Sequence, residues 1–219
     1  MCFLYNTIMK QYYINNKSDS LLIFFTGWGC DEYEFEHLKS KSDVLILYDY
    51  TDLYLNFDFS KYNEINLLAF SAGVFVASIF KCGVKINKKI AADGNPFLFD
   101  EKYGLSKQIQ DILYNITEEN ADEFARNFLI KTDEEYKEFH PSKRTLESCR
   151  IEFDCLKNIY QKEKENIKDI YDLVLFGEND TIFDISAQRE FYKNKIKFVQ
   201  NARHNLFFRI KKYEDLLYL

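Results

Sequence analysis

Little in this chain breaks secondary structure or marks a boundary. Its 219 residues include only seven Gly and two Pro, and no Gly-, Ser- or Pro-rich stretch signals a linker, a repeat or a low-complexity tract. A chain of that length without a tether reads as one domain over residues 1–219. Cysteine builds no scaffold: the five present (Cys2, Cys30, Cys82, Cys149, Cys155) are odd in number and irregularly spaced, giving neither a disulfide framework nor a CxxC metal site. Such usage fits a reducing cytosol. No apolar run reaches the roughly 18 residues a membrane span needs, and the opening "MCFLYNTIMKQYYINNK" is too short and broken in its apolar stretch for a signal peptide. A soluble, cytoplasmic protein with no membrane partner is expected. Basic excess is missing as well: the formal charge of -6 argues against a nucleic-acid partner, since phosphates are neutralised by a basic face. Clustered metal ligands, GxGxxG and P-loop spacings are absent too, so no metal and no cofactor are expected.

Apolar residues, by contrast, are plentiful. Hydrophobic residues form 47% of the chain, with 21 Phe and 16 Tyr, enough for a large core. Short runs of strand length recur: "LLIFFT" (21–26), "VLILYDY" (44–50), "INLLAF" (65–70), "KKIAA" (88–92), "DLVLFG" (172–177) and "KIKFVQ" (195–200). Their near-continuous apolar character is that of parallel strands buried on both faces. Between the third and fourth, "AGVFVASIFKCG" is long enough to cross over as a helix, with Gly83 as a C-cap, which makes a β-α-β unit. The fold class is therefore α/β, a mostly parallel sheet with helices on both faces.

From about 97 to 168 strand runs vanish and helical periodicity takes over. Ala121, Phe124, Ala125, Phe128 and Leu129 form one stripe, and Leu146, Cys149, Phe153, Leu156 and Tyr160 a second. A helical insertion between two strands of an α/β sheet normally rides over their carboxyl ends, where the ligand crevice lies. This predicts a cap or lid.

Within "LLAFSAGVFVA" (67–77), Ser71 ends a buried run just before the helix, with Ala69 and Gly73 two residues to either side. That is the steric requirement of a nucleophile elbow, in which bulky neighbours at those positions would collide. The turn also aims the Ala72 N–H and the helix N-terminus at whatever the serine attacks. A serine capping an ordinary strand-helix turn is the competing reading. A base must activate the hydroxyl, and only His37, His140 and His204 are available. His204, in "NARHNLFF" past the last strand, belongs at the same sheet edge as Ser71. His37, in the helical-looking "DEYEFEHLKS", and His140, in the cap beside Pro141, read as exposed or packing residues. The orienting acid should follow a late strand, which Asp180 does in "DLVLFGENDTIF", and Asp93 in "AADGNP" is a rival on the same ground. Ser71, Asp180, His204 is the chain order of α/β-hydrolases. Finally, "FFTGWGCD" ends the first run with Gly27-Trp28-Gly29, a loop able to supply a second oxyanion donor from the Trp28 N–H while its indole walls an acyl pocket. A packing anchor would look the same.

Taken together, "LLIFFTGWGCD", "YDYTDL" followed by "FDFSKYNEINLLAFSAGVFVA", "AADGNPFLFDEKYGL" and "FGENDTIFDISAQREFY" resemble the BioG-type pimeloyl-[acyl-carrier protein] methyl ester esterases of biotin synthesis. The resemblance spans nearly the whole chain. It implies an α/β-hydrolase fold with a helical lid, and an esterase that removes the methyl group disguising a carrier-bound pimeloyl chain. It also implies Ser71 as nucleophile, His204 as base, Asp180 as its partner, and Trp28 with Ala72 as oxyanion donors. Phe70 stands where relatives often carry Trp, and with Trp28 is expected to shape the substrate pocket.

The implied partner, an acyl-carrier protein, is acidic, so a basic face on the insertion would steer it. Lys143, Arg150 and Lys157 recur every seven residues, with Arg126 nearby. Glu147 and Asp154 sit at i+4 from Lys143 and Arg150, so a solvated face laced with ion pairs is the competing reading. Two other functions fit the same residues: a hydrolase of small free esters or thioesters, and a catalytically silent hydrolase-fold binding module.

Overall fold

The computed structural model describes residues 9–217; Cys2 and the first part of the stretch tested for a signal peptide lie outside them. Seven strands form one sheet in the order β1-β3-β2-β4-β5-β6-β7. They are β1 (Lys10–Ile14), β2 (Ser20–Phe25), β3 (Asp43–Tyr48), β4 (Glu64–Phe70), β5 (Lys89–Ala92), β6 (Leu173–Gly177) and β7 (Ile196–Val199). Every pairing is parallel except β1 with β3. All six strands expected from the apolar runs are present. The antiparallel edge strand β1, KQYYI, is an addition that the sequence did not announce.

Alternate side chains of each strand enter opposite faces, as the twofold period of a pleated strand requires. Leu21, Ile23 and Phe25 of β2 join one core with Leu67, Ala69, Val174 and Phe176, while Leu22 and Phe24 join the other with Leu68, Phe70, Ile90 and Leu175. The first face is covered by helix α1 (Ala72–Ile79) and α6 (Ile185–Tyr192). The second is closed by short 3-10 turns at Glu32–Phe35 and Leu206–Arg209 and by α7 (Tyr213–Leu217), through Phe35, Phe207 and Tyr213. Two helical expectations shorten accordingly. "DEYEFEHLKS" yields only a single 3-10 turn, and the helix after β4 ends at Ile79, with Phe80 extended and Gly83, at φ +71, in the following loop.

Between β5 and β6 the chain is helical from Lys107 to Glu163, with loops between the elements. It contains α2 (Lys107–Tyr114), α3 (Ala121–Phe124), a π-turn at Ala125–Leu129, α4 (Asp133–Glu138) and α5 (Leu146–Glu163). The stripe Cys149, Phe153, Leu156, Tyr160 is the buried face of α5. The other expected stripe runs from α3 into the π-turn and is not one α-helix. Caps fix these elements at their starts: Ser106 accepts from the Ile109 N–H, Thr145 from that of Ser148, and Thr132 with Glu135 closes a capping box. Among the described residues no helix is long and apolar enough to cross a membrane.

Candidate active site

The carboxyl ends of the parallel strands gather the chemistry-bearing residues. Ser71 follows β4, Asp93 follows β5, Asp180 lies three residues past β6, and His204 lies past β7. Ser71 sits at φ 52, ψ -120, a backbone conformation uncommon for a residue with a side chain. Two features permit the turn. Ala69 is fully buried, and a Cβ on Gly73 would stand 2.4 Å from the carbonyl oxygens of Phe25 and Thr26, so only glycine lets α1 pack this close to the end of β2. Ser71 makes no side-chain cap on α1. Its Oγ lies instead 2.9 Å from His204 Nε2, and His204 Nδ1 lies 2.9 Å from Asp180 Oδ2.

For a neutral imidazole these partners assign the hydrogen-bond roles. A carboxylate only accepts, so Nδ1 carries the proton and donates to Asp180, which leaves Nε2 to accept from the Ser71 hydroxyl. His204 and Asp180 are both buried, and Asp180 Oδ1 accepts the N–H groups of Ile182 (2.7 Å) and Phe183 (3.4 Å). Gly177 makes room for the histidine loop, since a Cβ there would stand 2.2 Å from the Arg203 carbonyl oxygen. The ring is flanked by Phe70, at 5.2 Å between centroids, and by Phe183, at 5.9 Å. The other two histidines lie apart from this chain of contacts: His37 stacks on Phe208, and His140 faces Glu36 at 3.5 Å.

Asp93, the rival acid, does not touch the imidazole through a hydrogen bond. Its Oδ1 accepts the Gly177 N–H at 2.6 Å, and Oδ2 has no partner among the described residues. Burial first, and the negative charge of Asp180 next, hold its carboxyl well above the ordinary carboxylate range. Asp93, Asp180 and His204 present ligand atoms within 4.8 Å of one another. Both ring nitrogens are engaged, by Asp180 and Ser71, so a cation at this trio would have to displace one of those bonds.

Over the serine lies a cavity of about 400 Å³. Gly27 to Cys30, Phe70, Ser71, Ala72 and His204 line it from the sheet, and Leu113, Ile116, Phe124, Leu146, Phe153 and Leu156 from the helical insertion. The Trp28 indole packs edge-on against Phe153 at 5.5 Å and donates its N–H to the Cys149 carbonyl at 2.6 Å. On the opposite side the π-turn meets the histidine loop. The N–H groups of His204 and Asn205 donate to the carbonyls of Phe128 (3.3 Å) and Leu129 (3.2 Å), and the Arg203 guanidinium donates to the carbonyls of Arg126 and Ile130.

The basic residues of the insertion have local partners. Arg126 pairs with Asp122 and Asp133, and Arg150 donates to the carbonyls of Tyr114 and Ile116. Lys143 precedes α5, so the expected seven-residue stripe with Arg150 and Lys157 does not begin on one helix. Its ammonium lies over the Tyr33 ring.

Two acids at the site were not singled out from the sequence. Glu152 is fully buried on α5, and Glu34 lines the cavity. A signal existed for the first, since Glu152 falls between Cys149 and Phe153 on the apolar face, where a carboxylate has no packing reason to be. Burial pushes the Glu34 carboxyl up to about 8, against the lowering effects of the Cys30 thiol and of Arg144. Between the ordinary value of 4.5 and about 8, the folded protein holds a proton there that the unfolded chain has lost, so stability falls as pH rises through that window. Glu34→Gln is expected to flatten the decline of Tm between about pH 5 and 8, removing as much as ~1.4 kcal/mol per pH unit from the slope. Thermal melts across that range check it, and a slope equal to wild type rejects it.

Comparison with known proteins agrees with this architecture. The family model for "Pimeloyl-ACP methyl esterase BioG" matches residues 9–216. The crystal structure of BioG from Haemophilus influenzae superposes with a TM-score of 0.81 at 27% identity, covering 95% of this chain and 99% of that one. A malonyl-[acyl-carrier protein] O-methyltransferase of Bacteroides fragilis is 29% identical over 196 residues, which are 84% of this chain and 39% of that protein. A lipase-esterase related protein from Clostridium acetobutylicum shares the fold, with a TM-score of 0.60 at 16% identity over 92% of this chain and 94% of that one. An α/β-hydrolase sheet matched along nearly its whole length by one family model makes this chain a member of the BioG family of pimeloyl-ACP methyl esterases.

Proposed function

We propose that this protein is a serine esterase that hydrolyses the methyl ester of pimeloyl-[acyl-carrier protein], with Ser71, His204 and Asp180 as its catalytic triad. The observation that carries the reading is the unbroken hydrogen-bonded path from Ser71 Oγ through His204 to Asp180 at the floor of an apolar cavity. His204 takes the Ser71 proton as Oγ attacks the ester carbonyl, and the charge that develops on the carbonyl oxygen is met by the N–H groups of Trp28 and Ala72. In the Gly27–Cys30 loop the amides of Gly29 and Cys30 are already bonded, to Glu152 and to the Gly27 carbonyl, while that of Trp28 has no such tie among the described residues and is the one assigned to the oxyanion. Collapse of the tetrahedral intermediate breaks the bond to the methoxy oxygen, and His204 delivers the proton so that methanol leaves. Water then attacks the acyl-enzyme by the same route and frees the carboxylate, with the thioester to the carrier untouched.

In this reading the chain works as one hydrolase unit with residues 97–168 as its lid, and Trp28 and Phe70 shape the acyl pocket. An extended acyl chain suits a largely apolar cavity with the triad at its floor. The match to part of a protein named for methyl transfer to malonyl-[acyl-carrier protein] supports a methylated, carrier-bound substrate. The carrier would approach the insertion, where Arg126, Lys143 and Arg150, each held by a local partner, contribute attraction at long range. Cys30, Cys82 and Cys149 form no disulfide among the described residues, which suits a reaction in the cytoplasm.

The decisive test compares kcat/KM for pimeloyl-carrier methyl ester with that for a short free methyl ester. The carrier-bound substrate is expected to be preferred by at least about 100-fold, the order that burial of several methylenes supports. Equal or better turnover of the short ester would replace this substrate assignment with a general esterase.

A further inference from the structure

We propose that Glu152, on helix α5 of the insertion, is a positioning residue for the Gly27–Cys30 loop, so that the insertion assembles part of the oxyanion site as well as roofing the cavity. The inference rests on the reading above, in which the Trp28 amide receives the developing charge.

The Glu152 carboxylate joins three segments that are remote in sequence. Its Oε2 accepts the Gly29 N–H at 3.0 Å and the Arg144 Nη1 at 2.6 Å, and its Oε1 accepts the Tyr50 N–H at 2.9 Å. Arg144, itself almost fully buried, also reaches Asp49 Oδ1 at 3.1 Å and Ser148 Oγ at 3.0 Å. The loop after β2, the turn after β3 and the insertion therefore meet on one side chain. Further ties to the same loop lie close by: the Trp28 indole donates to the Cys149 carbonyl one turn earlier on α5, and Asp31 accepts the Lys143 N–H at 2.7 Å.

Placing a charge here is unfavourable by itself. Burial pushes the Glu152 carboxyl up, while Arg144 and the N–H groups of Tyr50 and Gly29 pull it down. Asp49, Asp31 and Glu34 crowd the same region, with Arg144 inside it and Lys10 pairing Asp49 from the rim. A leucine or methionine on this stripe would bury apolar area without that cost, and buried ion pairs are often no more stable than their hydrophobic isosteres. What a carboxylate adds is direction. Gly27 and Gly29 flank Trp28, and Gly29 sits at φ +75, so an untied loop has wide conformational freedom. Fixing the Gly29 N–H removes that freedom from the residue beside the Trp28 amide, and preorganised donors are the largest single contribution in oxyanion stabilisation. Glu152 touches neither Ser71 nor His204 through a hydrogen bond, so its effect is separable from the triad.

Glu152→Gln tests this with little change of volume. A carboxamide has one acceptor oxygen, so its NH2 must face either the Gly29 or the Tyr50 N–H, and one tie is lost. On a short p-nitrophenyl ester, whose acyl group does not reach along the insertion, kcat is expected to fall about 10- to 100-fold with KM within about twofold, a fraction of what losing an oxyanion donor outright costs. Affinity for an aryl trifluoromethyl ketone, whose serine adduct carries an anionic oxygen, should fall in parallel with kcat/KM. The acid limb of the pH-rate profile should stay in place. Trp28 is the only tryptophan, so its emission should shift to the red and its quenching by acrylamide should increase. If Glu152→Gln does not fold, Arg144→Lys, which keeps the charge but cannot hold Glu152, Asp49 and Ser148 together, is expected to move the same readouts in the same direction. A folded Glu152→Gln protein with wild-type kcat and ketone affinity overturns the proposal, as does a change confined to KM. Failure of the wild-type enzyme to take a fluorophosphonate label at Ser71 would instead overturn the esterase reading itself.

Discussion

Ser71→Ala is expected to lower hydrolysis of a methyl ester by about 10⁵- to 10⁶-fold, the scale on which removal of a triad nucleophile acts. The variant removes one oxygen and keeps the Cβ, so the positive-φ turn at Ser71 and its packing between Ala69 and Gly73 are unchanged. A melting temperature close to wild type should accompany the loss. His204 Nε2 loses its 2.9 Å partner, but it borders the open cavity, where water can take the place of the hydroxyl. Turnover measured against the wild-type enzyme, with fluorophosphonate labelling as a second readout, checks both halves of the expectation. Near wild-type activity in Ser71→Ala would remove the serine from the mechanism.

The second large effect separates two carboxyl groups that the sequence left as rivals. Asp180→Asn is expected to cost about 10⁴-fold in kcat, because an amide in place of the acceptor favours the ring tautomer with the proton on the wrong nitrogen. Asp93→Asn, only one strand away, is expected to stay within a fewfold of wild type. Burial, and next the charge of Asp180, hold the Asp93 carboxyl well above the ordinary carboxylate range, so a neutral amide of the same shape is expected to change little. The two variants assayed side by side between about pH 6 and 9 decide the matter. A crippled Asp93→Asn with a tolerant Asp180→Asn would exchange the two roles.

Why the acid could not be chosen from the sequence is clear from the structure. Asp93 and Asp180 both follow parallel strands at one sheet edge, and only the direction of the side chain distinguishes them. Residue order carries no such information. The six parallel strands were legible because burial on both faces demands continuous apolar runs. Edge strand β1 was not, since KQYYI leaves its first three residues exposed and takes its register from β3. The end of α1 was hidden for a related reason: apolar residues continue through Phe80, so nothing polar marks where the helix stops. In the insertion, an α-helix and a π-turn share nearly the same apolar stripe over one or two turns, and Ala121 to Leu129 satisfied both. Glu152 was readable in principle, as an acid inside a buried stripe, but its meaning depends on Gly29 and Tyr50, more than a hundred residues away in sequence.

The π-turn bears on how this protein can diverge. It and the residue after it offer the histidine loop main-chain acceptors: the carbonyls of Phe128 and Leu129 take the amides of His204 and Asn205, and those of Arg126 and Ile130 take the Arg203 guanidinium. Such bonds are indifferent to side-chain identity, so this join leaves residues 125–129 free to change in composition while His204 stays in register, proline at the donor position after His204 being the exception. The opposite seam, at Glu152, has less tolerance, because its ties run through the side chains of Glu152, Trp28 and Asp31. The two borders of the insertion therefore differ in how much mutational change they can absorb.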